Sequence, residues 1–153
     1  MSPFGFSSHW PLNSTVEIID QLVVEHNIDA SRIYLIGVGV GGNACWDMGL
    51  KFSDKFAALV PIGSFYRITS SLARHLGKTP TWMFHGTGDQ NVSILDNRMM
   101  YSELKAQNGL IKHTEFDNAG RFCWDRLAEV DGFLPWLFAQ RNTRLRSDIK
   151  PQK

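Results

Sequence analysis

The sequence predicts an α/β domain of about four mostly parallel strands flanked by helices. Three observations carry this. The runs RIYLIG (32–37), FAALVPI (56–62) and TWMFH (81–85) are short, apolar and rich in β-formers. The chain between them is long enough for crossover connections and holds segments of helical periodicity. Strands with no polar alternation are buried on both faces, as parallel sheets require.

In chain order, residues 14–27 place Val16, Ile19, Leu22 and Val23 on one helical face, with Ser14 or Thr15 as a cap. The strand 32–37 follows and runs through GVGVGG into a helix over 42–52. Strands over 56–62 and 81–85 come next. A helix over 93–107 has Leu95, Met99 and Leu104 as core positions. A weak fourth strand covers 113–116. A last helix over 124–140 contains Pro135, which should bend or interrupt it. Residues 1–141 read as one domain, and 142–153 as a polar, basic, solvated tail.

The chain has 153 residues, 43% hydrophobic and 20% charged, with a formal net charge of +1. That balance argues against nucleic-acid binding by bulk charge. No run approaches the ~18 apolar residues of a membrane span. Residues 1–13 lack a basic n-region and an apolar core, so no signal peptide is expected and the cytoplasm is the default compartment. Two cysteines make no disulfide framework, and the five histidines do not cluster at ligand spacing. Neither a metal nor a cofactor is expected.

The turn after the first strand has two readings. Gly37, Gly39 and Gly42 satisfy G-x-G-x-x-G between a strand and a helix, the context for a dinucleotide-binding domain. That reading wants an Asp or Glu at the end of the next strand for the ribose, and FAALVPI runs into Gly63 and Ser64 instead. The other reading is a nucleophile elbow, G-x-S-x-G, with Gly39 in the serine's place.

The run IDASRIYLIGVGVGGNACWDMGLKFSDKFAALVPIGS closely resembles the elbow region of bacterial esterases of the α/β-hydrolase superfamily. These are the feruloyl-esterase-like, phospholipase/carboxylesterase-like and dienelactone-hydrolase-like proteins. The resemblance continues through PTWMFHGTGDQNVS, where it implies a catalytic acid at Asp89. In FDNAGRFCWDRLAEVDGFLPWLFAQR it sets Arg121 where the family has histidine. It covers about residues 10–141.

Three departures follow. Gly39 has no alkoxide to form. Arg121 keeps its proton and cannot act as a base. Only 36 residues precede Gly37, so the family's early strands, with the loop that supplies half of its oxyanion hole, are expected to be missing. The N–H groups of Val40 and Gly41 remain as oxyanion or anion donors, and Trp124 is a candidate cleft wall.

The resemblance therefore implies a catalytically degenerate esterase homologue with a binding or assembly role. A carboxylic ester hydrolase completed by another chain and a dinucleotide-binding domain are the alternatives. Arg121 is expected to pair with Asp89 and to hold a small carboxylate or phosphate. A homodimer or a partner chain is expected to pair with the edge strand Arg32–Gly37. His85, Ser64 and Cys123 read as structural groups. Trp10, Trp46, Trp82 and Trp136 read as packing residues.

Overall fold

A computed structural model describes residues 10–144. Four strands, β1 (Tyr34–Val38), β2 (Ala58–Ile62), β3 (Thr81–Gly86) and β4 (Ile111–Phe116), form one parallel sheet in sequence order. Among the described residues five α-helices precede, connect or follow them: α1 (Leu12–Glu25), α2 (Val40–Lys51), α3 (Ser70–Leu76), α4 (Ile94–Ala106) and α5 (Phe133–Ala139). Among the described residues no helix is long and apolar enough to cross a membrane.

Every residue of β2 and β3 is buried, whereas β1 and β4 are partly open, because the outer strands have a neighbour on one side only. Alternate residues feed two cores. Leu59 and Met83 face Trp46, Leu76, Met100 and Leu104 from α2, α3 and α4. Val60, Ile62 and Phe84 face Phe116, Leu127, Phe133 and Leu137 on the other side. Each of these large side chains contributes about 1.5–3 kcal/mol by leaving water. The β2–β3 register pairs Leu59 with Thr81 and Ile62 with Phe84, on either side of Pro61, which has no N–H to give.

Several sequence expectations change. α1 starts two residues early, with Pro11 at its N-cap, so Ser14 and Thr15 lie inside it and the Thr15 hydroxyl donates back to the Pro11 carbonyl. Leu22 is exposed on that helix. Ala30–Arg32 is a 3-10 turn started by Asp29, whose carboxylate accepts from Ser31 N–H, and β1 therefore begins at Tyr34. α3 has no counterpart in the sequence reading. On α4 the buried face is Asn97, Met100 and Leu104, while Leu95 (62% exposed) and Met99 (70%) point outward.

The expected single helix over 124–140 is two elements. A 3-10 segment, Cys123–Glu129, ends before Gly132, which adopts φ 76° and starts α5. Pro135 sits in the first turn of α5, where no N–H is needed, so it breaks nothing. The chain beyond Arg141 is not simply solvated. Asn142 N–H donates to the Ser31 carbonyl and its amide to the Asp54 carbonyl, and Arg144 reaches Phe56 and Thr79. Residues 145–153 of the expected tail lie outside the described residues.

A side chain at Gly37 would overlap the Gly41 carbonyl and come within 2.8 Å of the Cys45 sulfur, whereas one at Gly41 would meet nothing. Gly37→Ala is expected to destabilise by about 1–3 kcal/mol or more. Gly41→Ala should cost nothing, since alanine is the better helix former. Urea denaturation of the two variants measures the contrast.

The His113 side chain is buried against the Tyr101 ring, 3.8 Å from the Glu115 carboxylate. Burial holds its pKa below the ordinary value; Glu115 pulls it up, and His85 and Arg98 push it down. The unfolded chain therefore binds the proton more readily than the folded one. Stability is full above the unfolded pKa of about 6.5 and falls as pH drops through it towards the folded value. Denaturation midpoints between neutral and mildly acidic pH should fall more steeply for the wild type than for His113→Gln. Equal slopes would remove His113 from the account.

Candidate functional site

The site grows from the turn that joins β1 to α2. Gly39 is the N-cap of α2, with φ 57° and ψ −114°, backbone that only glycine adopts without strain. Its N–H donates to the Ile62 carbonyl at 2.8 Å, and its carbonyl accepts from Asn43 N–H at 3.1 Å. Both bonds hold the sharp turn at the carboxyl ends of β1 and β2. No side chain caps α2, so its first N–H groups, at Val40 and Gly41, have no acceptor within the helix.

Packing beneath the turn is tight. A side chain on Gly42 would stand 2.6 Å from the Ser64 Cβ. Ser64 is buried, and its hydroxyl accepts from the Trp46 indole N–H at 3.2 Å. The Ser64 carbonyl accepts from the Asn97 amide on α4, and the Asn43 amide oxygen accepts from Phe65 N–H. Ser64 is thus a buried support for the elbow. Asn43 and Asn97 were not singled out in the sequence, because a lone asparagine on a helix carries no signal of what it supports.

Two further loops close over this end of the sheet. One follows β3 and carries Asp89; the other follows β4 and carries Arg121. Their backbones meet: Gly88 N–H donates to the Ala119 carbonyl, and Asn118 N–H to the Thr87 hydroxyl. Gly86 admits the contact, since a Cβ there would overlap the carbonyls of Ala119 and Gly120.

The expected Arg121–Asp89 ion pair is not made. Among the described residues Asp89 has only His85 as an ionic neighbour, at 3.7 Å. One Asp89 oxygen accepts the N–H groups of Asn91 (2.8 Å) and Val92 (3.1 Å), folding the carboxylate back on its own turn. The other oxygen is buried and unpartnered. His85, fully buried, has its Nε2 3.1 Å from the Val92 carbonyl, a structural role as expected.

Arg121 turns to Gly39 instead. A Cβ placed on Gly39 would lie 3.4 Å from Arg121 Nε and 3.8 Å from Cζ. The guanidinium lies at van der Waals distance from where a Gly39 side chain would begin, and its Nε is buried without a partner. The Arg121 carbonyl also fills the space above Gly63, where a Cβ would come within 2.5 Å. Phe122 and Val40 stand exposed beside it. Trp124 is exposed at the start of the 3-10 segment; Trp46 and Trp82 are core residues, Trp136 packs on Trp82, and Trp10 is exposed.

The two thiols offer no substitute nucleophile. Burial pushes the Cys45 thiol up to about 12, and the Cys123 thiol is raised by the same cause. Among the described residues no three His, Cys, Asp or Glu gather as metal ligands.

With the geometry in place, comparison with known proteins is direct. Residues 11–137 match the phospholipase/carboxylesterase family. A bifunctional acetylxylan esterase/xylanase of Neocallimastix patriciarum is 32% identical over 88 residues, 54% of this chain and 13% of that protein. The esterase FrsA of Vibrio parahaemolyticus is 26% identical over 121 residues, 72% of this chain and 29% of that protein. The structure of a thermostable esterase superposes with a TM-score of 0.78 at 29% identity, covering 86% of this chain and 37% of that one. This chain therefore spans less than a third of the length of those two sequence relatives. The chain belongs to the phospholipase/carboxylesterase family of the α/β-hydrolase fold.

Proposed function

We propose that this chain is a catalytically degenerate member of its esterase family, which keeps the elbow as an anion-binding position. The observation that supports this is the Arg121 guanidinium lying against Gly39, where the family's serine and histidine would meet. Ester hydrolysis needs a nucleophile and a base that takes its proton. Glycine supplies no oxygen, and guanidinium takes no proton. Loss of either partner in a related triad costs on the order of 10⁶ in turnover, and the losses overlap rather than add.

The same pair of replacements suits an anion. The uncapped N-terminus of α2 is favourable to negative charge, and Arg121 places a cation beside it. A small carboxylate or phosphate at Val40 and Gly41 would accept from backbone N–H and guanidinium together. Trp124 stays the candidate wall on the Arg121 side. Against a dinucleotide stands the chemistry of the next strand: β2 ends at Ile62-Gly63-Ser64 with no acid for a ribose, and the Arg121 backbone fills the space above Gly63. An ester hydrolase completed by another chain would still lack a nucleophile at Gly39.

Purified protein should show no turnover of short aryl esters above a heat-treated control and no labelling by a fluorophosphonate probe. Robust turnover from a single mass species would overturn the proposal. Gly39→Ser with Arg121→His should bring back weak activity, because the positive φ is already built and the histidine vacates the space beside the new Cβ. Millimolar phosphate or acetate should raise the melting temperature of the wild type but not of Arg121→Ala. Equal shifts in both would remove the anion from the reading.

A further inference from the structure

We propose that Asp89, His85, His113 and Glu115 form one pH-sensitive unit beneath α4, which takes up a single proton in mild acid and shares it between the two imidazoles. The proposal is independent of the elbow chemistry. His85 lies near the end of β3, Asp89 in the turn that follows, and His113 and Glu115 on β4. The register sets Met83 beside His113 and His85 beside Glu115. Met83 packs on Met100 and Leu104, so both rings stand on the sheet face that α4 covers, two positions apart on adjacent strands.

Each ring turns one nitrogen to a carboxylate. His85 Nε2 is 3.1 Å from the Val92 carbonyl and 3.7 Å from Asp89 Oδ2. Two acceptors there place the ring proton on Nε2 and leave Nδ1 bare. His113 Nδ1 is 3.8 Å from Glu115 Oε1, so its proton belongs on Nδ1, and Nε2 is the bare atom. Among the described residues both bare nitrogens are buried without a hydrogen-bond partner, and so is Asp89 Oδ2. Buried polar atoms left in this way are costly. One proton from solvent serves both nitrogens: it makes one ring a donor and leaves the other as its acceptor, with a carboxylate at each end of the pair.

The surrounding charges come from every element packed on the pair. β4 supplies Glu115, and α4 supplies Arg98, whose guanidinium holds that carboxylate, and Tyr101, whose ring packs on His113. From the 3-10 segment Cys123 faces Asp89, with its thiol raised by burial and therefore neutral. Burial is the largest influence on His113 and lowers its pKa; Glu115 opposes this, and His85 and Arg98 add to it. The unit is thus empty at neutral pH and fills below the ordinary histidine value of about 6.5. The proton enters at His113, whose side chain is 7% exposed, because those of His85 and Asp89 are wholly enclosed. Its charge reaches Asp89 through His85, so acid at the β4 edge is felt in the turn that carries Asp89.

Proton NMR titration of the histidine rings in the full chain, from neutral to mildly acidic pH, tests the proposal. The His85 and His113 resonances are expected to move together with one midpoint, and His113→Gln should abolish the movement at His85. Glu115→Gln should lower the His113 midpoint, and Arg98→Ala should raise it. The deciding variant is Asp89→Asn, which keeps an oxygen for the N–H groups of Asn91 and Val92. It should also lower the His113 midpoint, although His85, not Asp89, is the neighbour that acts on His113 directly. A His85 ring that stays still while His113 titrates overturns the proposal. So does an His113 midpoint that is the same in the wild type and in Asp89→Asn.

Discussion

The contact between α2 and β1 governs the molecule. At Gly37 the helix backbone comes so close that no side chain fits, and at Gly42 the same holds against Ser64. These approaches force the chain to reverse within Val38–Val40, and the positive φ at Gly39 is what allows it. The turn aims the start of α2 at the carboxyl ends of β1 and β2, the usual crevice of an open parallel sheet. It also seats Trp46 in the core, with its one polar atom satisfied by Ser64.

The two replaced positions are explained together by that geometry. A positive φ of this kind is costly for a residue with a Cβ, and glycine at Gly39 avoids the cost. The Arg121 guanidinium lies directly beside it. Asp89 satisfies its own turn, where one carboxylate oxygen accepts the N–H groups of Asn91 and Val92. The loops that carry Asp89 and Arg121 meet through Gly86, Gly88 and Ala119.

The sheet distributes exposure in the same economical way. β2 and β3 are fully enclosed and specify two cores by simple alternation. The outer strands are partly open, β4 guarded by the charges of Lys112 and Glu115 and β1 apolar. The buried histidines His85 and His113 lie on β3 and β4 near the guarded edge, where Glu115 and Arg98 form an exposed ion pair over them.

The parallel sheet with its flanking helices, the elbow at Gly39 and the loops that carry Asp89 and Arg121 were legible in the sequence. Each rests on local signals: continuous apolar runs, crossover lengths, glycine spacing and flanking motifs. Legibility failed where local signal was weak or shared. α3 lacks a long apolar stripe, and Leu95 and Met99 fit a helical face one step away from the buried one. Gly132, not Pro135, divides the last helical region, because a proline in a first turn has no bond to break. Only the tertiary structure decided where the Arg121 side chain goes. A sequence places it beside Asp89 by analogy, but in the fold it lies against Gly39, while one Asp89 oxygen takes the N–H groups of its own turn. Where a long charged side chain lies is a property of the folded molecule, set by the loops and side chains packed around it.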